Sequence, residues 1–432
     1  MKDKRIAILF LTIFIDLLGF GIIIPILPNL AKEFAAESHL GIQPDIAVGL
    51  VAAVFSVIQF LFAPIFGSIS DRLGRRPIIL GSILVNAVGY LMFGYASSFA
   101  LLIISRIVSG FGSANISAAQ AYIADITSPE ERAKKMGIIG AAFGLGFVFG
   151  PPIGGWLYDW GMNSVKLEPI LQGLSQAQNM QQMAEGMALK RSIGLEYVGI
   201  FSAILCLINL VLAWKYLPES IQEKSGVKRK PSETFKGMVT VWSVEIVGEL
   251  LLINFIYIAA FSMMQINASV LWKEHYGLSP KAIGNIFGII GIFSAIVQGG
   301  LIGVFQKKFG LKRMLLWGAP LCAIGLSIIP LPSREWFYPV QILAIFFLAM
   351  GNGFLMPSIN SLVSMHSPAG SQGKMMGILQ SMGSLARAVG PLFSGILYAQ
   401  YFALPYLMGG FLMLIVFILA LLLNAKLAKN TP

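Results

Sequence analysis

The sequence predicts an all-α membrane protein of twelve transmembrane helices in two pseudo-symmetric six-helix halves. Composition, the spacing of apolar stretches and an internal repeat carry that prediction. Of 432 residues, 56% are hydrophobic and 12% charged, with a mean hydropathy of +0.77. A soluble domain holds about 25% charged residues and roughly 45–50% apolar ones, so this chain belongs in a bilayer. Crossing a ~30 Å hydrocarbon core takes about 20 apolar residues per helix. Twelve stretches qualify: 6–28, 47–66, 77–96, 99–121, 136–158, 196–217, 247–270, 282–303, 314–331, 337–360, 375–399 and 402–424.

Each element has its own justification. The first stretch follows Lys2, Lys4 and Arg5 and could imitate a signal peptide. It is too long for a signal core and no small-residue cleavage site follows, so it reads as a retained helix. If the N-terminus is cytoplasmic and each span reverses the side, 22 of the 31 Lys and Arg are cytoplasmic, counting Lys215 at the cytoplasmic end of its span, and 7 external, with 2 deeper inside spans. That asymmetry is the positive-inside pattern, so the net charge of +11 gives no reason to expect nucleic acid. Both termini are then cytoplasmic. Cys206 and Cys322 fall inside spans and read as free buried thiols.

The stretch "PESIQEKSGVKRKPSETFKG" (218–237) separates six spans from six and reads as a linker. The expected organisation is 1–217, a linker at 218–240, and 241–432. The halves echo each other: "SPEERAKKMGIIG…FGPPIGGWLY" (128–158) aligns with "SPAGSQGKMMGILQ…VGPLFSGILY" (367–398), Gly150–Pro151 falling on Gly390–Pro391 at an offset of 240. "GSISDRLGRR" (67–76) matches "GVFQKKFGLK" (303–312) at 236. Parallel repeats of this kind place substrate sites between the halves near the membrane midplane. The external insertion 159–195 has no counterpart; it could form a surface helix, and its Met180, Met183 and Met187 read as an apolar face.

Several motifs sit in the spans where a known family carries them. "GSISDRLGRR" fits G-x-x-x-D-R-x-G-R-R, with Gly67, Asp71, Arg72, Gly74, Arg75 and Arg76. "RIVSGFGSA" in span 4 and "GFVFGPPIGG" in span 5, with Gly146, Gly150, Pro151, Gly154 and Gly155, are two more. Together with "DLLGFGIIIPILP" in span 1 they resemble the major facilitator superfamily, notably its twelve-span drug/proton antiporters of the tetracycline-exporter branch. The resemblance implies proton-coupled export of small apolar or amphipathic compounds by alternating access, from a bacterial inner membrane. It also implies that the Asp71–Arg76 loop is a cytoplasmic gate and that span 5 bends to seal one side. Three positions depart from the family: Lys307 and Lys308 stand in the second copy where the first has Asp71 and Arg72, and Gln265 stands where relatives often carry an acid in span 7.

A charge at the bilayer centre costs at least ~2.5–3.5 kcal/mol and should face a cavity or partner. At ~1.5 Å per residue, Asp16 rises about 15 Å into span 1, Arg106 lies about 10–12 Å below the external end of span 4, and Arg387 lies about 18 Å into span 11. All three reach the midplane region, and an Asp16–Arg106 pair, direct or water-mediated, is expected. A carboxylate whose protonation follows its surroundings suits exchange of a proton for substrate; a static Asp16–Arg106 clamp is the plainer reading. Arg387 reads as a substrate or anion contact, or as a packing residue bonded to carbonyls. Gln59, Asn115, Gln120, Gln265, Asn267, Asn352, Asn360 and Gln380, among many Phe and Met, are candidate cavity groups suited to an amphipathic small molecule. For the gate, Asp125 is the expected partner of Arg75, and Asp71 is expected to face the N-terminus of span 11. No G-x-x-x-x-G-K-[ST] motif, catalytic constellation or metal-ligand cluster stands out. A monomeric transporter without cofactor or metal is expected, its partners a small-molecule substrate, protons and lipid. The competing readings are a metabolite carrier, by symport or antiport, and a transport-dead receptor.

Overall fold

The computed structural model describes residues 2–127, 129–164, 180–220, 245–367 and 372–429. Most of the linker and residues 165–179 of the insertion fall outside them. Among the described residues the regular structure is helical: α1 (Lys2–Ile23), α2 (Leu27–Glu37), α3 (Pro44–Leu73), α4 (Arg75–Gly94), α5 (Phe99–Gly112), α6 (Ile116–Ile126), α7 (Pro129–Met162), α8 (Met180–Tyr216), α9 (Glu245–Tyr276), α10 (Pro280–Ile296), α11 (Ile302–Ile328), α12 (Phe337–His366), α13 (Gln372–Gln400) and α14 (Leu404–Lys429). Nine of the described helical stretches are long and apolar enough to cross a membrane, and α10 is a shorter apolar helix. This is an all-α, multi-span membrane fold.

Helix ends follow local chemistry. Pro25 and Pro28 cannot donate backbone hydrogen bonds, and the chain leaves α1 at Ile23, turns, and re-enters as α2. The expected first span, 6–28, is therefore divided. A 3₁₀ turn at Ser113–Asn115 joins α5 to α6, breaking the expected span 99–121 where Gly112 and Ser113 loosen the helix. Ser98 accepts from Leu101 N (3.3 Å) to cap α5, and Ser279 does the same for α10 through Ala282 N (3.3 Å), as N-cap serines do. A π-helical turn at Val297–Leu301 joins α10 to α11. Gly310 has φ 75° within α11, a left-handed value that favours glycine. The 159–195 insertion ends in helix, because α8 is continuous from Met180.

Two apolar cores divide the molecule. One gathers α1–α8, from Leu9 to Leu217; the other gathers α9–α14, from Val247 to Leu427, with Ile24 and Val48 reaching into it. We call the end where α1 begins the terminal face and the opposite end the distal face. Glycines bring the bundles together. A Cβ on Gly284 or Gly288 of α10 would strike Pro151 or Pro152 of α7, and one on Gly49 of α3 would strike Pro391 of α13. Within the first bundle, Gly146, Gly150 and Gly154 lie against Leu17, Gly21 and Ile22 of α1, while Gly155 faces Pro280 of α10. Small residues permit this close approach. The span 5 motif is thus a two-sided packing stripe, and α7 stays one helix through Pro151–Pro152.

Candidate functional site

Asp16 stands in the first bundle at the point where α5 breaks. Asn86 of α4 donates to its Oδ1 (2.6 Å) and Asn115, in the 3₁₀ turn, to its Oδ2 (3.1 Å). Ser113 Oγ donates to Asn86 Oδ1 (3.4 Å), and Gln59 Nε2 to the Ser113 carbonyl (3.0 Å). The break has a use: it turns Asn115 and the Ser113 carbonyl inward. The result is one carboxylate held by two neutral amides with no cation bonded to it among the described residues.

Of the expected Asp16–Arg106 pair, direct or water-mediated, the direct contact does not form. Arg106, 2% exposed, donates through Nε to Ser105 Oγ (3.4 Å) and lies over the Phe93 ring at 5.0 Å. Its Nη2 is buried without a hydrogen-bond partner among the described residues. Depth along a helix fixes height but not azimuth, and Arg106 points toward α4. Tyr90 of α4 stands in the electrostatic reach of both charges, and its hydroxyl donates to the Asp16 carbonyl (3.5 Å).

The other predicted polar groups separate into structural and open ones. Asn267 is 1% exposed and donates to Ser394, so it ties α9 to α13 and lines no cavity. Gln59 is likewise buried in its bond to Ser113. Asn352 accepts from Tyr257. Gln120, Gln265, Asn360 and Gln380 are half-buried. Arg387 is also half-buried; it donates to Ser384 Oγ (3.0 Å) and makes no ion pair among the described residues.

At the terminal face Arg75, 7% exposed, pairs with Asp125 (3.1 Å) and Asp71 (2.5 Å) and donates to Ser70 Oγ (2.6 Å). The Arg75–Asp125 contact is the one read from the sequence. Asp71 is held by Arg75; residues 368–371, just before α13, lie outside the described ones. Arg72 is exposed, and Arg76 donates to the Trp214 carbonyl. Glu219 was not anticipated: it accepts from the backbone N–H groups of Arg75 (2.9 Å) and Arg76 (3.2 Å), an anion at the N-terminus of α4. Gly74, φ 111°, is needed twice over, since a Cβ there would meet the Glu219 carboxylate. Gly67 leaves ordinary room beside Ser117.

The distal face carries a charge cluster that sequence reasoning missed. Lys32 of α2 contacts Asp45 (2.6 Å) and, across the bundles, Glu274 of α9 (2.6 Å), which also accepts from Tyr398 (3.2 Å). Lys273 of α9 reaches Glu33 of α2 (2.5 Å), and Arg191 of α8 holds Glu33 (3.3 Å) and Glu37 (2.7 Å). Trp156 donates to Asn285 (2.8 Å) and Asn29 to the Ser269 carbonyl (3.3 Å). Burial lowers the Lys32 pKa, but the Asp45 and Glu274 carboxylates outweigh it and the net direction is up. The signal available was charges flanking spans 1, 2 and 7, which the positive-inside count treats only by number.

Two helical bundles joined by ion pairs at one face, with a carboxylate and two arginines embedded in their spans, suit a membrane transporter. The Major Facilitator Superfamily profile matches residues 9–302 and 250–431. The chain belongs to that superfamily: it is a multi-pass secondary transporter, not an enzyme. It is 29% identical to the class C tetracycline resistance protein of Escherichia coli over 411 residues, covering 92% of this chain and 91% of that one. It is 27% identical to major facilitator superfamily domain-containing protein 10 of Bos taurus over 448 residues, covering 92% and 88%. The crystal structure of the human organic anion transporter MFSD10 (TETRAN) superposes with a TM-score of 0.70 at 23% identity, over 97% of this chain and 99% of that one. A bacterial homolog of the human lysosomal transporter Spinster, inward-facing and unoccupied, gives 0.67 at 17% identity over 98% and 95%. The last two likenesses are of fold.

Proposed function

We propose that this protein is a proton-coupled carrier of a defined small organic solute, working by alternating access with Asp16 as the proton-carrying group. One observation carries the reading: Asp16 sits in a membrane-spanning bundle with two amide donors and no bonded cation. Amides can serve either form, donating to a carboxylate or, after rotation, accepting from a carboxylic acid. The site can therefore load and release a proton without an ion pair to break. Arg106 and Tyr90 act as its electrostatic surroundings, and Gln120, Gln265 and Gln380 remain candidate cavity groups.

Twelve crossings in two six-span halves follow if α5 and α6 form one crossing, α10 runs on through the π turn, and Gly310 divides α11. With both termini cytoplasmic in a bacterial inner membrane, the distal face is external and this conformer is held closed on the external side. The Arg75–Asp71–Asp125 cluster is then a gate whose partners change when the terminal face closes. Protons, solute and lipid are its partners, and a monomer is sufficient.

A second reading, export of drug-like compounds, is favoured by the 29% identity to a tetracycline resistance protein. The deciding experiment is flux in proteoliposomes with an imposed pH gradient, against a panel of metabolites and hydrophobic drugs. Gradient-dependent flux of a narrow set supports the proposal, broad flux of drugs supports the second reading, and flux indifferent to the gradient defeats proton coupling.

A further inference from the structure

The two halves keep one loop backbone and fill it with different charges. At the repeat offset of 236 Gly74 falls on Gly310, and both have a positive φ, 111° and 75°. Around that shared turn Lys307 stands on Asp71, Lys308 on Arg72, Leu311 on Arg75 and Arg313 on Pro77. In the first bundle the loop's charges meet acids of the protein itself. Arg75 holds Asp71 and Asp125, and Glu219 accepts from the first N–H groups of α4. In the second copy both the acid and the buried arginine are gone. Lys312 turns away to the Leu427 carbonyl of α14 (3.2 Å), and Glu249 is taken by Lys426. Lys307, Lys308 and Arg313 are exposed and make no hydrogen bond or ion pair among the described residues. The Lys308 ammonium lies over the neighbouring Phe309 ring at 5.6 Å. Three cations on one tight turn repel one another until an anion from outside the chain joins them.

The apolar residues beside these cations show where that anion lies. Exposed side chains on the two arms of the turn fall in two stripes. Leu301 and Val304 lead to Lys308 in steps of three and four, and Ile324 and Trp317 lead to Arg313 in steps of seven and four. Residues at those spacings share a helix face. On a membrane-spanning helix an exposed apolar face is bathed by acyl chains. The kink at Gly310 lies between the arms, so each stripe ends at the terminal face in a cation. Trp317, one turn from Arg313, takes the place that tryptophan favours at a membrane–water interface.

We propose that the Lys307–Arg313 turn binds an anionic phospholipid of the adjoining leaflet, its phosphate held by Lys308 and Arg313 and its acyl chains laid along the Leu301–Val304 and Trp317–Ile324 stripes. Cations at a membrane surface draw anionic headgroups, and a guanidinium can give a phosphate two parallel N–H bonds. The apolar stripes favour a lipid over a free phosphate ion, which would use the cations alone. The two copies of the loop thus divide their work: the first binds the protein's own carboxylates and the second binds the bilayer. Neither Asp16 nor proton coupling enters this site.

Trp317 supplies the reporter for the test. The full-length protein is reconstituted in phosphatidylcholine containing a minor fraction of phosphatidylglycerol brominated on its acyl chains, or of equally brominated phosphatidylcholine. Bromine quenches nearby tryptophan, and the signal missing from Trp317→Phe isolates this position from the other tryptophans. Wild type is expected to favour phosphatidylglycerol at Trp317 by about tenfold or more. Lys308→Gln and Arg313→Gln should each cut that preference by up to about fivefold, the usual worth of one surface cation. Arg313→Lys should fall between, keeping the charge and losing the fork. Arg334→Gln, which removes an exposed cation at the distal face, should change nothing. Inorganic phosphate added at constant ionic strength should not displace the lipid, and melting temperatures monitor folding. Equal quenching by the two lipids overturns the proposal. So does a preference that survives both Lys308→Gln and Arg313→Gln, one that Arg334→Gln lowers as much, or displacement by inorganic phosphate.

Discussion

The two faces of the molecule treat charge in opposite ways. At the distal face, the Lys32–Glu274 and Lys273–Glu33 pairs cross from one bundle to the other. At the terminal face, Arg75, Asp71, Asp125 and Glu219 bind one another on the first-bundle side, and Lys426 pairs with Glu249 inside the second. The inter-bundle contacts Lys32–Glu274, Lys273–Glu33, Asn29–Ser269 and Trp156–Asn285 all lie on the distal side. Charges that cross a seam select a conformer, whereas charges within a bundle only shape its rim. The distal pairs therefore hold the two bundles together in this conformer, while the pairs of Arg75 stay within the first bundle.

That contrast can be probed with a single reporter. Val48, 2% exposed, packs into the second bundle's core from α3, so Val48→Cys should react with a soluble thiol reagent only when the distal seam parts. The largest effect is expected from Gly284→Leu, whose side chain would be driven into the Pro151 carbonyl across the seam. Overpacking costs about 1–3 kcal/mol, a roughly five- to hundredfold rise in labelling rate at ~1.4 kcal/mol per decade. An unchanged rate would show that α7 and α10 do not form the seal.

Next come the distal pairs themselves. Lys32→Ala removes a pair that crosses the bundles, and partly exposed pairs contribute about 0.2–1 kcal/mol each, so labelling should rise up to about fivefold over its parent and the difference should shrink as salt is added. Arg75→Ala makes the complementary case. It should lower the melting temperature and slow transport while changing Val48→Cys labelling less than about twofold, because a rim pairing does not cross the seam. If Arg75→Ala opened the distal face as much as Lys32→Ala, the distinction between faces would fail.

The smallest effect concerns pH. The Lys32 pKa is raised above its ordinary 10.5, so its share of the distal pairing is complete below that value and is lost only as pH climbs through the higher folded one. Labelling should therefore show no Lys32-dependent change between pH 7 and 9, measured as the ratio of Lys32→Ala to its parent. A step in that range would mean that Lys32 does not hold Asp45 and Glu274 as described.

Much of the fold was legible because a bilayer imposes one rule, a run of apolar residues per crossing. Where the sequence misled, side-chain chemistry had broken a run: prolines 25 and 28 ended α1 early, and Gly112–Ser113 split α5 from α6. The Arg75–Asp125 contact was readable because Arg75 starts one helix and Asp125 lies at the end of another on the same face. Whether Asp16 and Arg106 touch directly was not, since rise per residue gives height and says nothing of azimuth. The amides that hold Asp16 were half visible: Asn115 stood among the polar candidates, whereas Asn86, a lone amide in an apolar run, was not singled out. The distal pairs were hidden because their members are distant in sequence, Lys32 to Glu274 and Glu33 to Lys273, and only packing of α2 on α9 unites them.

The central claim is that Asp16 couples proton and solute, and one comparison tests it most directly. Asp16→Asn keeps the size and one acceptor of the side chain and removes its titration. In proteoliposomes, the variant should retain solute exchange, in which labelled substrate outside swaps for unlabelled substrate inside without a gradient. It should lose net uphill flux driven by a pH gradient, by about a hundredfold or more, within the range general acid–base groups contribute. Exchange kept and gradient drive lost is the predicted result; gradient-driven flux at the wild-type rate in Asp16→Asn would contradict the account.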